Sequence, residues 1–202
     1  HERSIVFAAS EYWLVSDLLL AGEQHDYDLL FHLSDRAHGK TTIAVERETV
    51  LIDAPDMVMA QVRDPKVTAL MESGFVSPTY GIKWDAPIAR FAQRAADACF
   101  HTILFPYKTK RPTITVEKLA VFSSGRLCPD AEASASCVTI MRDEQCFKDH
   151  FLFVHQPQGK SYQCGEVTFQ GAFLYFRKNL AGELLGRHEV KDGDVRGASA
   201  IT

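Results

Sequence analysis

The strongest constraint on the fold is a two-residue alternation of apolar and polar side chains that recurs along almost the whole chain. It is clearest in segments rich in β-branched and aromatic residues, such as RSIVFAA, DYDLLFHL, TITVEKLAVF and GAFLYFRK. Because successive side chains of a strand point to opposite faces of its sheet, this period predicts about a dozen strands. Turn sequences such as SDRAHGK, DAPD and KNLAGE separate them at short intervals.

The short intervals favour antiparallel strands over strands joined by crossover helices. We therefore predict an all-β fold, a large antiparallel β-sandwich of the supersandwich kind with at most one short helix. A chain of 202 residues can bury a sizeable core, and all-β folds of this length commonly form one domain. Since no linker or repeat divides the sequence, residues 1–202 are predicted to form a single domain.

Three segments support finer predictions. Residues 87–100, PIARFAQRAADACF, are the only candidate helix because of their alanine-rich middle, although a strand followed by a surface loop fits almost as well. Residues 126–136 are small and polar and predict a loop. Near the C-terminus, the turn from Asn179 to Gly182 favours a hairpin that pairs FLYFRK with ELLGRHEV.

Charge and hydropathy narrow the class of partner. The formal net charge of −4 at pH 7 provides no general attraction to nucleic acid or to an anionic membrane surface. No apolar run approaches the ~20 residues of a membrane-spanning helix, so no membrane span is predicted. The N-terminal HERSIVFAAS has neither the regions of a signal peptide nor an initiator methionine, and we interpret the chain as a mature product or an excised part of a longer protein.

The cysteines leave the redox compartment open. Cys128, Cys137 and Cys146 flank one segment, so a local disulfide is an alternative to free thiols in an oxidising setting. No pair has the C-x-x-C spacing of zinc or redox sites. We predict no cofactor and no metal site, while a structural divalent metal remains compatible with the sequence.

The segment from His25 to Ser34, HDYDLLFHLS, concentrates histidine and aspartate. His25 and His32 are seven residues apart, an odd interval that places them on opposite faces of a regular strand. The alternation instead predicts a half-buried strand with an apolar face (Tyr27, Leu29, Phe31, Leu33) and a mostly polar one (Asp26, Asp28, Leu30, His32). On this interpretation only His32 is a candidate for lining a groove.

Two further segments contain candidate binding residues. Tyr80, Lys83 and Trp84 lie in VSPTYGIKWDAP, a loop-like stretch where exposed aromatic rings and a cation could contact a sugar ring and its carboxylate. Packing of the two rings onto the sheet is the alternative. Lys108 and Arg111 lie in FPYKTKRP, the most basic short segment, which fits either an anion site or a solvated strand end.

The order of these motifs resembles one known family. The opening HERSIVFAASEYWLVSDLLLAGEQHDYDLLFHL, then SPTYGIKWDAP, FHTILFPY and the terminal GAFLYFRKNLAGELLGRHEV, resembles the C-terminal β-domain of the bacterial heparinase II/III family of polysaccharide lyases. Members of that family have an α/α toroid followed by an antiparallel β-sandwich and cleave acidic polysaccharides by β-elimination. The resemblance thus implies an acidic polysaccharide and an upstream toroid as partners, and a periplasmic or secreted location.

The resemblance does not imply a complete active site in this chain. β-Elimination needs a group that neutralises the uronate carboxylate, a base and an acid. In the family these are usually Asn or Arg, His and Tyr, most of them from the toroid. The only asparagine here is Asn179, in a predicted turn. We therefore expect this chain alone to be inactive and assign no catalytic residue; its predicted role is to support the catalytic domain and wall the substrate groove.

Two other functions fit the sequence. A non-catalytic carbohydrate-binding or structural β-module would use Tyr80, Trp84 and the basic residues 108–111 as its contact surface. A small metal-dependent β-barrel enzyme would need His25, His32 and His101 to converge with Asp26 or Asp28.

Overall fold

The structure is a computed structural model, and it describes residues 1–157 and 159–191. The last eleven residues of the predicted domain, 192–202, lie outside the described residues. Within these ranges the chain forms eighteen strands and one 3-10 turn, Asp35–Ala37. The prediction of an all-β antiparallel sandwich is confirmed. No helix in these ranges has the length and apolar character needed to cross a membrane.

The strands are, in chain order, β1 (Glu2–Ala8), β2 (Tyr12–Leu19), β3 (His25–His32), β4 (Thr42–Val45), β5 (Thr49–Ala54), β6 (Met57–Val62), β7 (Thr68–Val76), β8 (Trp84–Ala95), β9 (Ala98–Pro106), β10 (Thr113–Leu119), β11 (Val121–Ser123), β12 (Arg126–Leu127), β13 (Ala133–Arg142), β14 (Gln145–Val154), β15 (Tyr162–Cys164), β16 (Val167–Phe169), β17 (Phe173–Asn179) and β18 (Leu184–Val190).

These strands form four antiparallel sheets among the described residues. The largest has six strands in the order β1-β2-β9-β6-β5-β4, and the next has five in the order β10-β13-β14-β17-β18. Four short strands form the sheet β12-β11-β15-β16, and three form the sheet β3-β8-β7. We refer to them as the six-, five-, four- and three-stranded sheets.

The four sheets are stacked in the order three-, six-, five- and four-stranded, with a hydrophobic core between each pair of neighbours. Ile103 and Phe105 of β9 meet Phe151 and Phe153 of β14 in the central core. On the other face of β9, Phe100 packs with the three-stranded sheet. On the other face of β14, Leu152 packs with the four-stranded sheet. The two central sheets are therefore covered on both faces.

This layering explains why some strands are apolar without alternation. The segments FHTILF and HFLFVH belong to β9 and β14, which lie inside the two central sheets. A strand that is buried on both faces needs apolar residues at odd and even positions alike. The three-stranded sheet is covered on one face only, and there the alternation of DYDLLFHL is preserved, with Leu29 buried and Leu30 exposed.

The candidate helix at residues 87–100 is wrong. These residues form most of β8, a tight turn and the start of β9. Alternate residues of β8 are buried, Ala89 and Phe91 facing the core, while Arg90 pairs with acids on the outer face. The strand alternative is correct for β8, but a hairpin turn replaces the expected surface loop.

The loop predicted at residues 126–136 is only partly present, because β12 occupies its first two residues and β13 begins at Ala133. Its small side chains, including Ser134 and Ser136, are buried between sheets. The predicted C-terminal hairpin is confirmed. Gly182 has a φ of +82° and its N–H donates to the carbonyl of Asn179, closing the turn between β17 and β18.

Candidate functional site

Four of the six predicted groove residues gather at one end of the three-stranded sheet. Val76, the last residue of β7, pairs with Trp84, the first residue of β8. His32, the last residue of β3, pairs with Ile88 further along β8. Four residues of strand separate Ile88 from Trp84, about 13 Å. The β7–β8 connection, which carries Tyr80 and Lys83, extends from the same end.

The side chains at this end have the properties needed to contact a sugar. Tyr80 is fully exposed and Trp84 is 46% exposed, so neither ring is consumed by packing onto the sheet. The Lys83 ammonium lies 3.6 Å from the centre of the Phe75 ring, a cation–π contact. Phe75 pairs with Asp85, so this contact lies on the face of the hairpin opposite Trp84. An exposed indole or phenol can stack on the C–H face of a sugar.

Lys108 and Arg111 lie elsewhere, in the connection between β9 and β10. Arg111 is engaged by Asp53 of β5, with Nε 2.6 Å from Oδ2, and the neighbouring Lys110 bonds Asp143 at 3.1 Å. Lys108 has no ion pair in the described ranges. The basic segment is thus largely neutralised by its own acidic partners, as expected for a solvated strand end.

Asp56, in the turn between β5 and β6, connects this basic segment to the 3-10 turn that follows β3. Arg36, in the 3-10 turn that follows β3, donates to Asp56 at 2.9 Å. The backbone carbonyl of Asp56 accepts from the N–H of Tyr107, next to Lys108. The two groups of predicted residues are therefore linked at one end of the molecule, although they belong to different sheets.

The histidine and aspartate residues of HDYDLLFHLS form the polar face of β3. Asp28 accepts from Arg90 at 2.8 Å, and Asp26 accepts from Arg94 at 2.9 Å. His25 and His32 lie at opposite ends of the strand, about 23 Å apart along its length. The segment is a salt-bridged outer strand, as the alternation predicts.

The histidines required by a metal-dependent enzyme do not meet. His101 lies on β9, facing the five-stranded sheet, whereas His25 and His32 are on the outermost sheet. Nowhere in residues 1–157 and 159–191 do three or more His, Cys, Asp or Glu side chains form a group that could hold a metal ion.

Sequence reasoning missed a buried polar network between the two central sheets, centred on Asp149 of β14. Its Oδ2 accepts from the Tyr12 hydroxyl at 2.5 Å, and its Oδ1 accepts from Arg177 Nε at 2.7 Å. Arg177 also donates to Glu11 at 2.9 Å. Burial, with the Asp149 charge, raises the pKa of Tyr12 well above its ordinary value. Asp149 and Tyr12 are fully enclosed, so this network is structural.

A second buried network surrounds His101. Its Nδ1 lies 3.0 Å from Ser136 Oγ and its Nε2 lies 3.1 Å from Ser134 Oγ. Ser134 Oγ also lies 3.2 Å from His155 Nε2, and His155 Nδ1 is 3.6 Å from Glu2. Burial, together with the nearby His155 and Lys118, lowers the pKa of His101 to about 3. The members of this cluster come from segments that are far apart in the sequence. They form no local motif, which is why the sequence did not indicate the cluster.

The five cysteines are all free thiols, so the alternative of a local disulfide does not apply. Burial raises the pKa of both Cys99 and Cys137 to about 12. Because the thiolate is the reactive form, these two residues are poor nucleophiles near neutral pH.

Comparisons with protein families and with curated proteins do not place the chain in a family. No protein-family model matches the chain, and no curated protein matches it.

Proposed function

We propose that this chain is the C-terminal β-sandwich of a heparinase II/III-like polysaccharide lyase. In that role it supports a helical catalytic domain and forms one wall of a groove for uronate-containing polysaccharide. The observation that carries the proposal is the grouping of His32, Tyr80, Lys83 and Trp84 at one end of the outermost sheet. The ordered resemblance of the sequence motifs and the stacked antiparallel sheets are consistent with it.

The outer face of the three-stranded sheet fits the supporting role. Leu30 and Leu70 are each more than 40% exposed and flank Arg90 in one row across the sheet. Trp84, and Ile82 in the β7–β8 connection, add exposed apolar area towards the groove end. Apolar side chains grouped on one layer are typical of a surface that contacts another domain.

Titration with acidic oligosaccharides tests the groove. Oligosaccharides prepared from alginate and hyaluronan should quench the fluorescence of the wild-type chain, because Trp84 would stack on a sugar ring. The Trp84→Ala variant should lose the response and bind at least ~10-fold more weakly. Stacking of a ring on an aromatic side chain is worth roughly 1–3 kcal/mol.

Trp13→Ala is the matched control, because Trp13 is also partly exposed but stacks on Phe7 in the six-stranded sheet. It should retain the response. An unchanged spectrum into the millimolar range would contradict binding at this end of the sheet. Cleavage of the polymers by the chain alone, followed by absorbance of the unsaturated product, would contradict a supporting role.

The exposed rings of Tyr80 and Trp84 also favour a second candidate, a carbohydrate-binding module without catalytic function. Both candidates predict the same titration result. The reading frame upstream of His1 separates them: a long helical region encoded there supports the lyase, and an unrelated domain supports the binding module.

A further inference from the structure

The six-stranded sheet is split at one end. β6 pairs with β9 from Met57–Pro106 only as far as Gln61–Thr102. β9 itself begins at Ala98 and pairs with β2 from there to Leu104. Residues 98–101 therefore have a partner strand on one side only among the described residues, and their backbone groups on the other side are not used by the sheet.

A cleft of about 200 Å³ opens where β6 leaves β9. Its walls are apolar side chains from the end of β6, the following turn and β9, namely Val62, Pro65, Val67 and Phe100. Ser134 and Ala135 of the five-stranded sheet also line it, so it spans two layers. Val67 precedes β7, and Trp84 pairs with Val76 at the far end of that strand, about 30 Å away. The cleft is thus separate from the proposed groove.

The cleft has hydrogen-bonding groups that are not already used. Gln61, which lines it, is only 2% exposed, and its Oε1 has no hydrogen-bond partner within the described residues. The Lys118 ammonium donates one of its three N–H groups to Asp130, at 2.5 Å, and two remain for other acceptors. By contrast, the ring nitrogens of His101 already contact the hydroxyls of Ser136 and Ser134. A ligand would therefore meet the β9 backbone, Gln61, Lys118 and Asp130, a mixture of donors and acceptors.

The charges around the cleft balance. Arg63 and Lys118 are positive, Asp64 and Asp130 are negative, and all four line the cleft. An ionic ligand would gain attraction from one pair and repulsion from the other, so the surroundings favour a neutral ligand.

We propose that this cleft binds one neutral, polyhydroxylated ring, the size of a single sugar residue. A hydroxyl group both donates and accepts, so a ring with adjacent hydroxyls can satisfy the Gln61 acceptor, the Lys118 donors and the mixed groups of the β9 backbone. The C–H face of such a ring would lie against Pro65 and Val67, since Phe100 is only 2% exposed. The proposal does not depend on the lyase assignment, because the cleft shares no residue with the groove at Trp84.

The test is a titration of the ¹⁵N-labelled chain with methyl β-D-glucopyranoside and methyl β-D-galactopyranoside, followed by NMR. The expected result is chemical-shift changes at the backbone amides of residues 99–101 and at the Gln61 carboxamide, with a Kd on the order of 1–10 mM for a ligand of this size. Absence of shifts in these residues at about 100 mM glycoside would overturn the proposal.

A blocking variant locates the binding. Val67→Trp fills the cleft and should weaken binding at least ~10-fold, a difference of about 1.4 kcal/mol. Val45→Trp is the matched control, since Val45 is 59% exposed on the edge strand β4, and it should bind like the wild type. Equal shifts in Val67→Trp and in the wild type would place the ligand elsewhere and overturn the assignment.

Two further measurements keep the test decisive. If Val67→Trp does not fold, Lys118→Met replaces it as the test, because Lys118 is half-exposed. This variant removes a hydrogen-bond donor to the ligand and should weaken binding several-fold. Unchanged binding would contradict the proposed contacts. Sodium glucuronate should bind no better than the neutral glycosides, and tighter binding by tenfold would contradict a neutral ligand. Loss of oligosaccharide binding at Trp84 would leave all these outcomes unchanged.

Discussion

At the scale of single residues, the molecule contains ionisable groups whose state is decided by burial. His101 is 5% exposed and lies between two serine hydroxyls, where a positive charge would be poorly solvated. His32, on the outer face of β3, has the same side chain in an exposed position. The sequence identifies both as histidines of strand segments, but it does not say which one enters the space between two sheets.

The buried state of His101 predicts a pH dependence of stability. Its folded-state pKa is lowered to about 3, against an ordinary value of 6.5. Below pH 6.5 the unfolded chain takes up a proton that the folded chain does not, so the free energy of unfolding falls as pH falls. We expect His101→Gln to remove up to about 1.4 kcal/mol per pH unit of this loss between pH 6 and pH 4.

Urea unfolding at pH 7, 6, 5 and 4 measures this difference. His32→Gln is the matched control, because it makes the same substitution at an exposed position outside the space between the two central sheets. Identical slopes for wild type and His101→Gln would mean that His101 becomes protonated in the folded state.

At the scale of elements, most strand positions could be predicted from the alternation of side chains. Turns and strand partners could be predicted only in part. The turn at Asn179–Gly182 was predicted because those residue types tolerate positive φ. The β1–β2 turn uses Ala9 and Ser10, with φ values of 48° and 55°, and neither residue signals such a turn. The alanine-rich β8 resembles a helix in composition, and only its pairing with β3 and β7 makes it a strand.

Gly171, between β16 and β17, has no room for a side chain. Its φ is +155°, and an added Cβ would lie 2.7 Å from the carbonyl oxygen of Val190 and 2.5 Å from the Phe169 ring. Because the oxygen belongs to the backbone of β18, it cannot move away cheaply. We expect Gly171→Ala to lower the free energy of unfolding by about 1–3 kcal/mol.

Gly186→Ala is the comparison, since it lies in β18 of the same sheet and an added Cβ there meets nothing within 4 Å. Chemical denaturation of both variants should show a clearly larger loss for Gly171→Ala. Equal losses would indicate that the C-terminal hairpin shifts to accommodate the methyl group.

At the scale of the whole molecule, the stack depends on how the two central sheets are joined. Most of that interface is apolar, but Asp149 connects Tyr12 of the six-stranded sheet with Arg177 of the five-stranded sheet. Removing one member of a buried ionic network leaves the others without a partner, which costs more than the network contributes when complete.

We therefore expect Asp149→Asn to destabilise the fold by about 3 kcal/mol, because the buried Arg177 guanidinium loses its main counter-charge. Thermal or urea unfolding measures the change. Asp143→Asn is the control, since its ion pair with Lys110 is two-thirds exposed and should contribute at most ~1 kcal/mol. A loss below ~1 kcal/mol for Asp149→Asn would show that Glu11 alone satisfies Arg177.

The sequence by itself determined most of the strands, the antiparallel all-β class and the polar outer face of DYDLLFHL, because side-chain alternation is a local property of an extended chain. It also made Tyr80 and Trp84 candidate binding residues, but only the structure showed that both rings are exposed. Only the tertiary structure decided the stacking of four sheets, the Asp149 network and the cleft beside β9. Each of these depends on which distant strands become neighbours, and the alternation within one strand does not say which distant strand it will pair with or pack against.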